Sequence, residues 1–382
     1  MSAGDEQSAG ANAQRFRNVI DIKGFNRVFM IACVILVSTP GAAEIVGQDD
    51  PSGHRRAQQI PAAGPISCWE ILGPSVLERT IVRLQRAGLK AITVVAEDQW
   101  SFLLPPSTRQ TRVNLAAQPT SLWSTARRAV KECLQQGADT VLLLKIGPYA
   151  EFDIADLVRF HRAKNQSLTP IANPRGSLAG WILGADQVRK AGMAGCEDIV
   201  EARCMHAAPY VLQGYVNDLR DARDYRRLVA DALLSRCAMR PAGYEVKPGV
   251  WIGDGARVHR RARIIAPAYV GRGTKVREGV LISRFTNLEG GCEVDRDTLV
   301  KTSSALPNTY LGKGLILCHA VVDGCNILHL QHNTVVEITD ANLLARAIPS
   351  KRSCPSPDSG TNSGVTERFL ETAWSQVGSF IF

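Results

Sequence analysis

The stretch "VWIGDGARVHRRARIIAPAYVGRGTKVREGVLIS", residues 250–283, has a period that belongs to neither a helix nor an ordinary strand. Counting in sixes from Ile252 reaches Val258, Ile264, Val270, Val276, Ile282, Leu288, Val294, Val300 and Leu306, so ten consecutive hexads carry an aliphatic residue at one phase. Four residues after each of the first nine stand Ala256, Ala262, Ala268, Thr274, Val280, Thr286, Cys292, Thr298 and Ser304, nearly all small. A strand alternates sides and a helix turns every ~3.6 residues, and neither generates this pair of tracks. A hexapeptide repeat predicts a solenoid of short parallel strands. Three hexads form one triangular coil, with the aliphatic residue pointing into the prism and the small residue letting the chain turn beside it. The phase slips by one at Leu311 and runs on through Leu317, which carries the expected solenoid to about residue 336.

Upstream, strands alternate with helices. "GPSVLERTIVRLQRAGLKAITVVAED" predicts a helix with Val76, Leu77, Ile81 and Leu84 on one face, stopped by Gly88 and followed by a strand over 91–96. "SLWSTARRAVKECLQQGADTVLLLKIG" repeats the plan, with a helix to Gln136, Gly137 as its C-cap and a strand over 140–146. "FDIADLVRFHRAKN" predicts another helix, opened by Asp153 or Asp156. This succession implies a parallel α/β sheet with right-handed crossovers.

Four segments in this order carry a resemblance. "ILGPSVLERTIVRLQRAGLKAITVV", "FDIADLVRFHRAK" and "GYVNDLRDARDYRRLVADAL", with "CVILVSTPG" as the opening strand, resemble the NDP-sugar pyrophosphorylases, the sugar-1-phosphate nucleotidyltransferases, over roughly residues 28–335. Many members carry a C-terminal hexapeptide domain. The resemblance implies an α/β nucleotidyltransferase-like (Rossmann-like), mostly parallel sheet domain over 28–240, then a left-handed parallel β-helix over 245–337. It also implies a cytoplasmic protein.

The opening strand has a rival reading. Residues 28–37, "VFMIACVILV", are apolar throughout; Arg15, Arg17, Lys23 and Arg27 precede them and "PGAA" follows, as in a secretory signal. The basic region, however, is long and carries Asp5, Glu6 and Asp21, and the run is shorter than the ~20 residues that span a bilayer. The implied domain needs the run as its first strand, which leaves residues 1–27 as a disordered extension.

By resemblance, the reaction is attack of a sugar 1-phosphate on the α-phosphate of a nucleoside triphosphate. It needs a glycine-rich loop with an arginine and a lysine around the phosphates, and two aspartates on Mg²⁺. Here the loop position reads "STPGAAEIVGQDDPSGHRRAQQIPAAGPISCWE", with Gly41 and Gly47 but no glycine triplet followed by arginine. His54, Arg55 and Arg56 are the nearest basic groups, and no lysine occurs between Lys23 and Lys90. At the first metal position, "LKIGPYAEFD" puts Pro148 after Gly147 where the family has aspartate. The second metal aspartate survives as Asp218, although Arg220 replaces the glycine that follows it in the family. No catalytic residue is assigned, Asp218 is the one metal candidate, and Mg²⁺ is the cofactor only if the protein is active. The expectation is a pseudo-enzyme acting as a regulatory or scaffold subunit in sugar-nucleotide or polysaccharide metabolism, able to bind a nucleotide or sugar nucleotide.

Two alternatives stay open. One is a working nucleotidyltransferase with a rewired loop that uses Arg55 or Arg56 with Asp218. The other is a hexapeptide acyltransferase with a histidine base, for which His259, His319, His329 and His332 are candidates.

Composition narrows the partners. The formal charge of +9 contains no block of five like charges, which argues against nucleic acid. The 10 cysteines form no CxxC pair and no zinc spacing with histidine, so buried free thiols are expected. The solenoid faces suit a homo- or hetero-oligomer. Residues 349–364 read as a Pro/Ser/Gly-rich linker. Residues 365–382 read as an amphipathic helix with Phe369, Leu370, Trp374, Val377 and Ile381 on one face. That helix is expected to dock on protein rather than on a membrane, since its polar face lacks lysines.

Overall fold

The computed structural model describes residues 30–37, 64–104, 111–118, 121–174, 176–185 and 207–347. The expected N-terminal extension, residues 38–63 of the phosphate-loop position 38–70, the linker and the C-terminal helix lie outside them. The fold is mixed α/β with two compact units. Among the described residues, 30–37 with 76–218 form one, and 64–75 with 219–347 form the other.

The first unit is built on a seven-stranded sheet. Its elements run β1 (Ile31–Val37), α1 (Val76–Arg86), β2 (Ala91–Glu97), β3 (Arg112–Ala116), α2 (Leu122–Gln135), β4 (Thr140–Ile146), β5 (Tyr149–Ala150), α3 (Ile154–Lys164), β6 (Leu168–Asn173), β7 (Gly176–Gly184), β8 (Tyr210–Val211) and β9 (Val216–Asn217). The sheet order is β3-β2-β1-β4-β7-β6-β8. β1 pairs in parallel with both β2 and β4, while β7 is antiparallel to β4 and to β6.

The apolar run of β1 follows from this position. Ala32, Val34 and Leu36 join the core under α2 with Ala126, Val130 and Leu143, and Cys33, Ile35 and Val37, on the opposite sheet face, are equally buried. A strand covered on both faces loses the polar alternation of a half-buried one. Each valine, leucine or isoleucine side chain so buried contributes about 1.5–3 kcal/mol. Among the described residues, no helix is long and apolar enough to cross a membrane.

Local signals act as the patterns imply. Asp153 caps α3 by accepting the Ala155 N–H at 2.8 Å. His161 on α3 is buried and bonds Thr169 Oγ1 at 2.8 Å through Nδ1. Burial pushes its pKa down to about 4, so it is a neutral core group at neutral pH.

The second unit begins with the strap 64–75, followed by α4 (Ala222–Leu233), capped by Asp221, and β10 (Tyr244–Lys247). Then come β11 (Val250–Ile252), β12 (Arg257–Val258), β13 (Arg263–Ile264), β14 (Ala268–Val270), β15 (Lys275–Val276), β16 (Leu281–Ser283) and β17 (Thr286–Leu288). β18 (Glu293–Val294), β19 (Leu299–Lys301), β20 (Ser304–Ala305), β21 (Thr309–Leu311), β22 (Ile316–Cys318) and β23 (Ala320–Asp323) continue the series. These strands fall in rotation into three sheets, joined in parallel as β11-β14-β17-β20-β23, β12-β15-β18-β21 and β13-β16-β19-β22. Each hexad supplies one strand, and the third one after it stacks on the first.

The inward track is the aliphatic one: Val270, Val276, Ile282, Leu288, Val294 and Val300 share a buried cluster. Its slip falls one corner earlier than expected. Val270 pairs with Leu288, eighteen residues on, but Leu288 pairs with Ala305, seventeen on. Ala305 thus takes the inward place expected of Leu306, and Leu311 and Leu317 follow it in register with Val294 and Val300. Leu306 is buried but outside that cluster. The small track also does more than save space. Thr274 donates to Glu289 O at 2.9 Å, Thr298 to Gly312 O at 2.6 Å and Cys292 to Leu306 O at 3.2 Å, so side chains satisfy corner carbonyls of the next coil.

Parallel stacking stops at β23, short of residue 336. β24 (Asn326–His329) and β25 (Thr334–Glu337) add antiparallel strands, and β26 (Leu344–Arg346) lies antiparallel to β21. An antiparallel strand ends the repeat and covers the open edge of the last coil.

α4 and the strap are held by a buried polar network. Arg226 donates to Asn287 Oδ1 at 2.8 Å and to Ser304 Oγ at 2.7 Å, and also to the Phe285 carbonyl. Asn287 Nδ2 donates to Glu289 Oε1 at 2.6 Å, so its amide links a buried cation to a buried carboxylate. Glu289 also accepts the N–H groups of Leu72 and Gly73 at 2.8 and 2.9 Å. Trp69 packs edge-on to Tyr225, with ring centroids 5.5 Å apart.

Candidate functional site

In an open α/β sheet, ligands bind outside the carboxyl ends of the strands where the strand order reverses. Here the chain runs outward from β1 through β2 to β3, then returns to lay β4 on the other side of β1. The switch point is therefore at the ends of β1 and β4. Directly beyond β1, residues 38–63, which include His54, Arg55 and Arg56, lie outside the described residues. Beyond β4 come Gly147 and Pro148.

β5 pairs antiparallel with β9, Tyr149 with Asn217 and Ala150 with Val216. One step further in this register sets Pro148 across from Asp218. The pairing continues the other way, where Glu151 N donates to Tyr215 O at 2.9 Å. Gly214 lets the two chains approach, since a Cβ there would lie 2.0 Å from Glu151 O. The fold thus brings together the two positions that the resemblance assigns to metal aspartates. Only Asp218, half-buried, offers a carboxylate.

A small open cleft of about 40 Å³ runs from Pro148 along β4. Leu144, Ile146, Phe152 and Ile171 give it apolar walls, and Thr80, Arg83 and Lys145 add polar groups. Arg83 donates to Ala150 O at 2.7 Å, and its guanidinium lies 4.6 Å from the Phe152 ring centre. Its Nε is buried without a hydrogen-bond partner. Burial lowers the pKa of Arg83, and the fields of Tyr149 and Glu151 oppose that shift. Tyr149 in turn donates to Glu151 Oε1 at 2.8 Å.

Arg83, Glu151 and Phe152 were not among the residues singled out from sequence. A signal existed for Arg83: it lies seven residues after Val76 and three after Thr80, on the buried arc of α1. Glu151 has none, because only the β5–β9 pairing brings it beside the cleft.

The pair does not fit an Mg²⁺ held by two aspartates, because a proline side chain has no oxygen to give. No catalytic step is derived through a metal. Among the described residues, no group of three or more His, Cys, Asp or Glu side chains is arranged to hold one.

The four candidate histidines divide. His259 sits on an exposed corner, its Nδ1 accepting the Arg261 N–H at 3.2 Å. His319, His329 and His332 gather at the last coil, where the rings of His329 and His332 stack at 4.7 Å. The described cysteines are free thiols. Cys33, Cys68, Cys133, Cys237 and Cys292 are buried, and Cys318 and Cys325 are partly exposed. Compared with known proteins, the chain matches no family model and no curated protein.

Proposed function

We propose that this chain is a sugar-nucleotidyltransferase-like protein with little or no pyrophosphorylase activity. It would serve as a regulatory or scaffold subunit in sugar-nucleotide or polysaccharide metabolism in the cytoplasm. The observation that carries the reading is the register of β5 on β9, which sets Pro148 across from Asp218. A fold that brings two metal positions together while one holds proline retains a binding architecture and loses the electrostatics of phosphoryl-type transfer. Support for the α/β half comes from β1, paired on both sides at the switch point. For the C-terminal part we propose the left-handed β-helix of hexapeptide proteins, with a homo- or hetero-oligomer formed through its faces. Its support is the rotation of the strands through three parallel sheets.

Binding is tested by thermal shift with nucleoside triphosphates, sugar nucleotides and acyl-CoA, since a ligand of the native state raises the melting temperature with occupancy. A sugar nucleotide or triphosphate is expected to raise it, with acyl-CoA inert. Stabilisation by acyl-CoA alone would replace the proposal with the acyltransferase reading.

A further inference from the structure

His329 ends β24, where it pairs with Ala320 of β23 on one side and with Thr334 of β25 on the other. His332, in the turn between β24 and β25, stacks on its ring and donates its backbone N–H to His329 Nδ1 at 3.4 Å. That bond requires an unprotonated Nδ1. His319 stands beside Ala320. Its N–H goes to Lys301 O at 3.3 Å, and its carbonyl accepts the N–H of Leu330 at 2.9 Å. Three histidines thus stand at one end of the hairpin that covers the last coil, two with stacked rings and the third close enough for its charge to act on His329.

The charged groups facing them are cations. Lys301, at the end of β19, and Arg226, on α4, both act on His319. Arg223, also on α4, donates to Leu330 O at 2.9 Å. The carboxylates of the hairpin are at its other end: Asp323 is paired with Arg346 at 3.0 Å, and Glu337 stands opposite Asn326.

We propose that β24–β25 is an acid-sensitive cap: protonation of His319 and His329 detaches the hairpin and bares the edge of β23. Charging His319 and His329 sets them against the cations already there, and at His329 it removes the acceptor that holds the turn. Opening would uncover Leu328, fully buried against the coil, and a row of unpaired backbone groups ready to pair with another strand.

The direction agrees with the local electrostatics. Burial and neighbouring cations lower the pKa of His319 and His329 from the ordinary 6.5. A lowered pKa means that the unfolded segment binds protons more readily than the folded one. The stability of the cap is therefore intact above about pH 6.5 and is lost progressively below it.

Hydrogen exchange on the full chain at pH 7.5 and pH 5.0 tests this. Protection of amides 326–337 is scored against β14 and β17 of the same molecule, which cancels the intrinsic pH dependence. Relative protection of the hairpin should fall severalfold at pH 5.0, because the opened segment binds protons more readily than the closed one. It should fall much less in the H329N/H332N double variant, where asparagine offers an acceptor in place of Nδ1 and only His319 is left to charge. His319→Asn, at a left-handed φ of 50° that asparagine tolerates, should weaken the response and provides a second readout if the double variant misfolds. Unchanged relative protection in the wild type overturns the proposal, as does an equal fall in the folded variants.

Discussion

Continued by one step, the two-residue pairing of β5 with β9 sets Pro148 across from Asp218, and that juxtaposition bears on what the switch point can bind. Pro148→Asp is expected to create a carboxylate pair and with it a divalent-cation site. Calorimetric titration with Mn²⁺ should show binding in the variant and none once Asp218→Ala is added. Failure to bind would mean that the two side chains do not converge. Glu289 makes a second residue-scale case. Its burial, with Glu70 nearby, pushes its pKa up to about 7 from an ordinary 4.5. The folded state then holds the proton more tightly, so the group's contribution is full below pH 4.5 and is lost as pH rises through 7. A difference of this size is worth roughly 3 kcal/mol. Urea unfolding should show the wild type losing stability between pH 5 and 8 relative to Glu289→Gln. Parallel pH profiles would contradict it. Spacing within a motif pointed to Pro148 and Asp218. Arg226, Asn287 and Glu289 carry no such signal, since most of the groups they join are far apart in sequence, Arg226 and Asn287 by 61 residues and Leu72 and Glu289 by 217.

At the scale of elements, the hexad track was legible because one aliphatic residue per six repeats without interruption. The location of the slip was not, because Leu306 satisfies the pattern as well as Ala305 does and only the stacking of the next coil decides. The antiparallel ending was hidden for a related reason: β24 and β25 are as apolar as the coils they cover. The roles of the two tracks lead to separable expectations. Leu288→Ala, which removes a fully buried inward side chain, should cost about 2–5 kcal/mol in chemical denaturation. Thr298→Val keeps the volume and removes the bond to Gly312 O, which should cost about 1–3 kcal/mol because the carbonyl is left unsatisfied. A cost near zero for the threonine change would mean that water replaces its hydroxyl.

For the whole molecule, the α/β character and the mostly parallel sheet were readable from alternating helix and strand patterns. The run at 28–37 admitted two readings because a strand covered on both faces and a signal core are both uniformly apolar, and its residues Ile31–Val37 form β1. What the chain does depends on whether transfer chemistry survives at the switch point. The direct measurement is release of pyrophosphate from nucleoside triphosphates mixed with sugar 1-phosphates and Mg²⁺, in the wild type and in Asp218→Ala. The account predicts no turnover above background in either protein. Release at ordinary enzyme rates, on the order of 1–1000 per second, that disappears in Asp218→Ala would contradict it.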